Sequence, residues 1–147
     1  MREILFKAKR TDNGEWVEGY YFTFKGKTYI TNIEQTFMSA YYTEESVVDF
    51  NLRAYEVDPA TLCQYTGLTD KNGKRIWKGD IVSFVDMTST ESGYYEQDCI
   101  GRIGWDDEEL CFFVTGRLFA ESWEVLQDCA VVGNIFDNQE LLEEAHE

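Results

Sequence analysis

Apolar and polar residues alternate in many short segments of this chain, and a period of two is typical of β-strands. The clearest case is segment 3–9, where Ile4, Phe6 and Ala8 share one face. Further strands are predicted at 16–24, 28–30, 46–57, 65–68, 74–77, 81–87, 99–105, 110–115, 123–126 and 129–136. Polar turn residues with a glycine predict tight turns at 12–14, 25–27 and 70–73. The pattern therefore predicts an all-β protein.

Two short segments have helical signals instead. Asp58 followed by Pro59 combines a cap residue with a proline at the first helical position, which predicts one helical turn at 59–63. Asn138 is expected to cap a final helix at 139–145. Residues 31–45 follow no regular period and are expected to form an irregular loop, and residues 88–93 are expected to form a flexible loop.

The stretch from Gln64 to Val82 has a glycine at each joint between its predicted turn, hairpin and strand. Within it, an aspartate at position 70 can accept a hydrogen bond from the backbone two residues later, and Gly73 can adopt the positive φ that closes a hairpin. A second tight turn at 78–80 precedes the next strand. These residues are predicted mainly to shape the backbone, and the predicted turn residues are Asp70, Asn72, Gly73, Gly79 and Asp80.

Three groups of residues carry a family resemblance. The central group spans 57–68, then Asp-Lys-Asn-Gly-Lys at 70–74 and Gly-Asp-Ile-Val at 79–82. The N-terminal group is 1–10 with 12–17, and the C-terminal group is 131–138 followed by two leucines at 141–142. In this order the groups resemble the YopX-like family of phage and prophage proteins, although the resemblance is weak across 31–50 and 88–98. It implies an all-β protein with an SH3-like barrel, and a family without an established biochemical activity.

Size and composition allow a folded core. A chain of 147 residues can bury roughly 70% of its unfolded surface, and 44% hydrophobic with 16% aromatic residues is too apolar for disorder. We expect an N-terminal β-hairpin region in 1–57 and an SH3-like β-barrel with a short C-terminal helix in 58–147. The alternative is one domain in which both regions intertwine.

Charge is distributed unevenly. Residues 1–79 contain eleven Lys or Arg and eleven Asp or Glu, whereas residues 80–147 contain two cations and seventeen acids. The second half thus carries the whole net charge of −15. Direct nucleic-acid binding is not expected, because that affinity depends on cations that displace counterions from phosphate. A basic protein partner is favoured instead.

Four of the thirteen cations lie at one predicted hairpin. These candidate electrostatic contact residues are Lys71, Lys74, Arg75 and Lys78. They could meet the acidic half of a second copy and form a homo-oligomer, or they could meet the acidic surface of their own chain. The two possibilities stay open at this point.

Catalytic and metal-binding patterns were sought and not found. Cys63, Cys99, Cys111 and Cys129 lack the close pairs of a zinc site and are predicted to be four free thiols. The one histidine, His146, lies next to the C-terminus. The glycines of the central stretch precede strands, so no phosphate-binding loop is predicted. We expect no catalytic residue, no metal and no cofactor, although carboxylate pairs keep an enzyme among the alternatives.

Three aromatic residues are candidates for partner binding. Trp77 and Trp105 are predicted to fill the barrel core or its seam. If one of them is exposed beside Tyr65, it would anchor a bound peptide or partner loop.

The predicted function is that of a phage or prophage accessory protein, a non-catalytic module that binds another protein. The alternatives are an acidic decoy that mimics DNA before a DNA-binding protein, and an uncharacterised enzyme. The chain has no apolar run long enough to span a bilayer and no signal-peptide pattern. We therefore expect it in the bacterial cytoplasm, without membrane attachment.

Overall fold

The computed structural model describes residues 4–31 and 54–145. These residues are mainly strand, as predicted, with two antiparallel sheets and a short C-terminal helix. The strands are β1 (Phe6–Lys9), β2 (Trp16–Phe24), β3 (Lys27–Thr31), β4 (Ala54–Val57), β5 (Cys63–Thr69), β6 (Arg75–Trp77), β7 (Asp80–Thr90), β8 (Gly93–Asp106), β9 (Cys111–Val114) and β10 (Ala130–Asn134). The helices are a 3-10 turn (Pro59–Thr61), α1 (Ser122–Gln127) and α2 (Glu140–Ala145). The chain divides into two compact units, Met1–Tyr65 and Thr66–Glu147.

The first unit is built on antiparallel strands in the order β4-β3-β2-β1, and β1 also pairs with the start of β5. Alternation places Ala8, Ile30 and Val57 on the inner face, where each is at most 1% exposed. The predicted turn between β2 and β3 is present, with Lys25 and Gly26 as its two central residues.

The predicted cap of the 3-10 turn is also present. Asp58 Oδ1 accepts a hydrogen bond from Ala60 N–H at 3.0 Å, and Pro59 occupies the first helical position. Of the predicted strand 46–57, the structure describes only residues 54–57, which form β4. Residues 46–53 of that strand, residues 32–45 of the predicted irregular loop, and His146 lie outside the described residues.

The second unit contains a four-stranded antiparallel sheet in the order β10-β7-β8-β9. Its core consists of buried residues from this sheet, from β6, from α1 and from the position just before β10: Ile76, Val82, Phe84, Ile103, Val114, Val125, Leu126 and Cys129. Strands β7 and β8 form one long hairpin, which continues to the pair Thr90 and Gly93. The prediction of a flexible loop at 88–93 is therefore wrong. Thr and Tyr residues favour strands, and only residues 91–92 turn the chain.

The strand predicted at 123–126 is also wrong, because these residues form helix α1. Val125 and Leu126 are adjacent and both buried, which an alternating strand does not allow. Glu124 Oε2 accepts a hydrogen bond from Glu121 N–H at 2.7 Å and so satisfies a backbone donor at the start of the helix. Short apolar runs of this kind do not distinguish strand from helix by period alone.

Neither sheet closes on itself within the described residues, and β10 and β9 form the two edges of the second sheet. The SH3-like barrel is therefore not confirmed. The division predicted after residue 57 stays a prediction. In the structure, β5 begins in the first unit and ends in the second, since the boundary falls between Tyr65 and Thr66.

Candidate functional site

The central hairpin is organised by the buried carboxylate of Asp70. Its Oδ1 accepts hydrogen bonds from Asn72 N–H and Lys74 N–H, each at 2.9 Å, and its Oδ2 accepts one from Val131 N–H at 2.9 Å. Gly73 has the positive φ predicted for it, 82°. Burial alone would raise the pKa of Asp70, but the backbone donors of Val131, Lys74 and Asn72 together lower it. Asp70 thus connects the hairpin to β10, which is a structural role.

The second predicted turn is organised in a similar way. Asp80 is buried, and its Oδ2 accepts a hydrogen bond from Trp77 N–H at 2.8 Å. Gly79 N–H donates to the carbonyl of Ile103 at 2.8 Å, and the carbonyl of Gly79 accepts from Ile135 N–H at 2.9 Å. These contacts connect the turn to other elements of the second unit. They also leave the N–H and the carbonyl group of Gly79 hydrogen-bonded.

The three aromatic candidates are mostly inside the protein. Tyr65 and Trp77 are buried, at 6% and 3% exposure. Trp105 is half-buried, with its ring edge-to-face against Phe112 at 4.9 Å and its Nε1 donating to Asp107 at 2.9 Å. In this conformation Tyr65 and Trp77 offer no open ring face. A role of these three residues in partner binding stays a prediction.

The cationic hairpin residues are placed at the surface. Lys71, Lys74 and Lys78 are exposed, and Arg75 is half-buried. Their predicted electrostatic contact with acidic residues stays a prediction as well.

Sequence reasoning missed a groove of about 510 Å³ in the second unit. Its lining combines six apolar residues with four acidic ones: Phe84, Val85, Met87, Phe119, Ala120 and Val125, with Asp86, Glu96, Glu124 and Asp128. Among the described lining residues there is no lysine or arginine. The groove is therefore apolar in its contacts and negative in its charge.

One side of the groove is formed by the segment 116–120, which we call the apolar loop. The buried carboxylate of Asp86 binds its backbone: Oδ2 accepts from Leu118 N–H at 2.7 Å and from Phe119 N–H at 3.2 Å, and Oδ1 accepts from Ala120 N–H at 3.0 Å. Met87 N–H, next in the chain, donates to Oδ1 at 2.7 Å. Burial alone would raise the pKa of Asp86, but these backbone donors, led by Leu118, together lower it. The loop thus depends on an ionised aspartate from β7.

Two further residues fix the same loop. The guanidinium of Arg117 donates to the carbonyl oxygens of Val114 and Ala120, at 2.9 and 2.8 Å. Gly116 has a φ of 78°, and a Cβ at this position would lie 2.4 Å from the carbonyl oxygen of Ile100. Both the left-handed backbone and the close approach therefore require glycine here. The loop conformation is specified from both of its ends.

The apolar loop presents large hydrophobic side chains to solvent. Leu118 is 51% exposed and Phe119 57% exposed. The ring of Phe119 contacts that of Tyr94 on β8, edge-to-face at 6.1 Å between centroids, and Tyr94 is 72% exposed. We call Tyr94, Leu118 and Phe119 the apolar ridge. The sequence shows two large apolar residues, Leu118 and Phe119, directly after a glycine and an arginine and outside any regular apolar period. It does not show that this segment lies beside β7.

The first unit has a second groove, of about 450 Å³, between its hairpin turns. Its lining carries both signs of charge, including Lys9, Arg10, Lys27, Glu56 and Asp58. Lys27 Nζ lies 3.5 Å from Glu56 Oε1, so part of this charge is neutralised locally. The groove in the second unit is the more distinctive site, because its charges have a single sign.

Among the described residues, no group of three or more His, Cys, Asp or Glu side chains is arranged to bind a metal ion. All four cysteines are free thiols, and burial, then the nearby carboxylates, raises the pKa of Cys129 to about 11. A thiol with this pKa is not a nucleophile at neutral pH. Within the described part of the chain, no helix has the length and apolar character needed to cross a membrane.

Comparison with known proteins places the fold in a family. A family model described as "YopX protein" matches residues 5–143, which confirms the resemblance carried by the three sequence groups. The crystal structure of protein EF1440 from Enterococcus faecalis is similar, with a TM-score of 0.53 and 20% sequence identity over 97% of this chain and 99% of that chain. At this identity the likeness shows the fold alone. No curated protein matches the chain.

Proposed function

We propose that this chain, which belongs to the YopX protein family, is a non-catalytic protein-binding module. The observation that carries the proposal is the apolar ridge beside the groove of the second unit. Exposed apolar side chains that are clustered and fixed in place mark interaction sites on soluble proteins. Here Leu118 and Phe119 lie on a loop whose backbone is bound by Asp86. A fixed loop loses less conformational entropy on binding than a mobile one.

The buried carboxylate of the groove supports binding rather than catalysis. Asp86 has both carboxylate oxygens occupied by backbone donors and a lowered pKa, so at neutral pH it has no proton to donate as a general acid. The remaining lining is mainly apolar. That composition also favours a protein partner over an acidic surface that imitates DNA, since a DNA mimic would present carboxylates without an apolar groove.

The setting of the module follows from its family and its thiols. We infer a phage or prophage accessory protein that acts in the cytoplasm of the bacterial host, where four free cysteines are in keeping with reducing conditions. The SH3-like barrel remains our proposal for the fold of residues 58–147, supported by the small antiparallel sheet and the tight hairpins there.

Affinity capture from host lysate with a matched pair of variants tests the function. The ridge variant is Leu118→Ser/Phe119→Ser. The control is Leu110→Ser, which replaces a leucine that is 72% exposed, lies in the turn between β8 and β9 and is outside the groove lining. We expect one stoichiometric partner with the wild type and with the control, and about tenfold less with the ridge variant, equivalent to about 1.4 kcal/mol. Circular dichroism checks that all three proteins are equally folded.

Two results would count against the module. One is a partner retained equally by the ridge variant, which would remove the ridge from the interaction. The other is the absence of any stoichiometric partner under conditions in which the wild type is folded.

A further inference from the structure

We propose that the groove of the second unit binds a partner segment in which an arginine or lysine lies next to an apolar residue. The inference rests on the proposed protein-binding function and specifies the chemistry of the partner. It follows from two properties of the same lining, its apolar surface and the uniform sign of its charge.

The apolar part of the lining has both a floor and exposed walls. Phe84 and Val125 are buried, at 6% and 4% exposure, so they belong to the core and present a fixed surface. Val85 and Phe119 are each 57% exposed, and Met87 is 38% exposed. A partner's apolar side chain would remove this exposed surface from water, which is the main favourable contribution in most protein associations. Methionine adapts its shape to different partners more readily than branched residues do.

Three exposed carboxylates line the same groove from separate elements. Glu96 lies on β8, Glu124 in α1, and Asp128 directly after α1. Glu124 already accepts a hydrogen bond from Glu121 N–H. Among the described residues, neither Glu96 nor Asp128 forms an ion pair. Arg117 donates to the carbonyl oxygens of residues 114 and 120 rather than to these acids. Carboxylates that share a groove without a neighbouring cation attract a cationic side chain from outside.

The net charge of the chain indicates which class of molecule supplies that cation. The net charge of −15 repels a second copy of this chain, as well as nucleic acid and anionic membranes, and it attracts a basic protein. An arginine satisfies the groove best, because its aliphatic stem packs on apolar walls while its planar guanidinium forms paired hydrogen bonds with carboxylates. The occupant is therefore a basic segment of another protein.

Selection from a library of random short peptides against the full-length chain tests the inference. We expect enriched peptides with an arginine or lysine within two or so positions of a large apolar residue. Replacing that arginine with citrulline, which keeps its shape and removes its charge, should weaken binding about tenfold. Glu96→Gln/Asp128→Asn should weaken binding of the original peptide by a similar factor. The matched control, Glu108→Gln/Glu109→Gln in the turn between β8 and β9, should bind like the wild type.

The outcomes separate this inference from the broader function. One outcome is that the enriched peptides are neutral, lose binding with Phe119→Ser and bind Glu96→Gln/Asp128→Asn like the wild type. This result would refute the cationic partner and would still support the proposed protein-binding function. No enrichment, or peptides indifferent to Phe119→Ser, would overturn both. A synthetic copy of residues 70–78 that displaces the peptides, combined with a dimeric mass of the wild type, would identify a second copy as the occupant and overturn a foreign partner.

Discussion

Replacing Asp86 with asparagine keeps the size of the side chain and removes the charge that organises the apolar loop. In the wild type the carboxylate accepts hydrogen bonds from Leu118, Phe119 and Ala120 as well as from Met87. An amide keeps one acceptor oxygen and turns its other end into a donor, so about half of these N–H groups lose their acceptor. A hydrogen bond to a charged group contributes about 1.5–3 kcal/mol. Since water can reach the exposed side of the loop, we expect a total loss of about 2–3 kcal/mol.

Urea denaturation followed by tryptophan fluorescence measures this loss, because Trp77, Trp105 and Trp123 all belong to the second unit. The melting temperature should fall by about 6–9 °C, at roughly 3 °C per kcal/mol for a chain of this size. Asp98→Asn is the matched control. Asp98 is exposed on β8, so the same substitution should change the free energy of unfolding by less than about 0.5 kcal/mol.

The same pair of proteins makes a prediction about pH. The pKa of Asp86 is lowered by folding from its ordinary value of 3.8. Its contribution is therefore fully present above pH 3.8 and is lost as the pH falls through the lowered pKa of the folded state. The difference in free energy of unfolding between wild type and Asp86→Asn should shrink in acid. An Asp86→Asn protein as stable as Asp98→Asn at pH 7, or a difference that grows below pH 3.8, would refute the role given to this carboxylate.

Three further predictions concern the hairpin, the thiols and the charges. Gly73→Val should melt at a lower temperature than Gly73→Asn, because asparagine tolerates the left-handed backbone and valine does not, with a strain of ~1–2 kcal/mol. No atom lies within 4 Å of the added Cβ, so a steric clash does not contribute. Equal melting temperatures would contradict this prediction. A thiol reagent at about pH 8 should label the exposed Cys111 first. It should label the buried Cys129, with its pKa of about 11, only when the protein unfolds, to a total of four thiols. Equal labelling rates would argue against the buried environment of Cys129. If Lys74 and Arg75 contact a second copy, light scattering should show a mass that falls as salt is added, because the Debye length shortens from ~10 Å at 0.1 M to ~3 Å at 1 M. The variant Lys74→Glu/Arg75→Glu should lower the mass in the same way. A mass that is unchanged by both salt and the variant would exclude the contact.

Local signals were the predictable part of this fold. The Asp58 cap, the Lys25-Gly26 turn and the Asp70 to Gly73 turn each depend on residues within a few positions of one another. Their geometry follows from side-chain hydrogen bonding and from backbone sterics, which the sequence states directly. The errors at 88–93 and 123–126 have the opposite origin. There the structure depends on the pairing of β7 with β8 and on the burial of α1 in the core, to which residues distant in the sequence contribute.

The groove could not be predicted, because its contacts join distant residues. Asp86 binds backbone groups 32 to 34 positions further along the chain. The sequence did contain one usable sign: Asp86 is two residues after Phe84, on the buried side of an alternating strand. A carboxylate in that phase must be paired or hydrogen-bonded, since burying an unpaired charge is very unfavourable. The sign predicts that Asp86 has donors, but it does not say which segment supplies them.

The acidic residues of the second unit therefore include two groups with separable effects. Asp70, Asp80 and Asp86 are buried and accept backbone hydrogen bonds, so their charge contributes to the fold. Glu96 and Asp128 are exposed in the groove and form no ion pair among the described residues, so their charge repels its acidic neighbours. Neutralising the buried group should lower stability at neutral pH. Neutralising Glu96 and Asp128 should leave the melting temperature unchanged or raise it slightly while it weakens binding, which is the pattern of residues kept for a partner rather than for the fold.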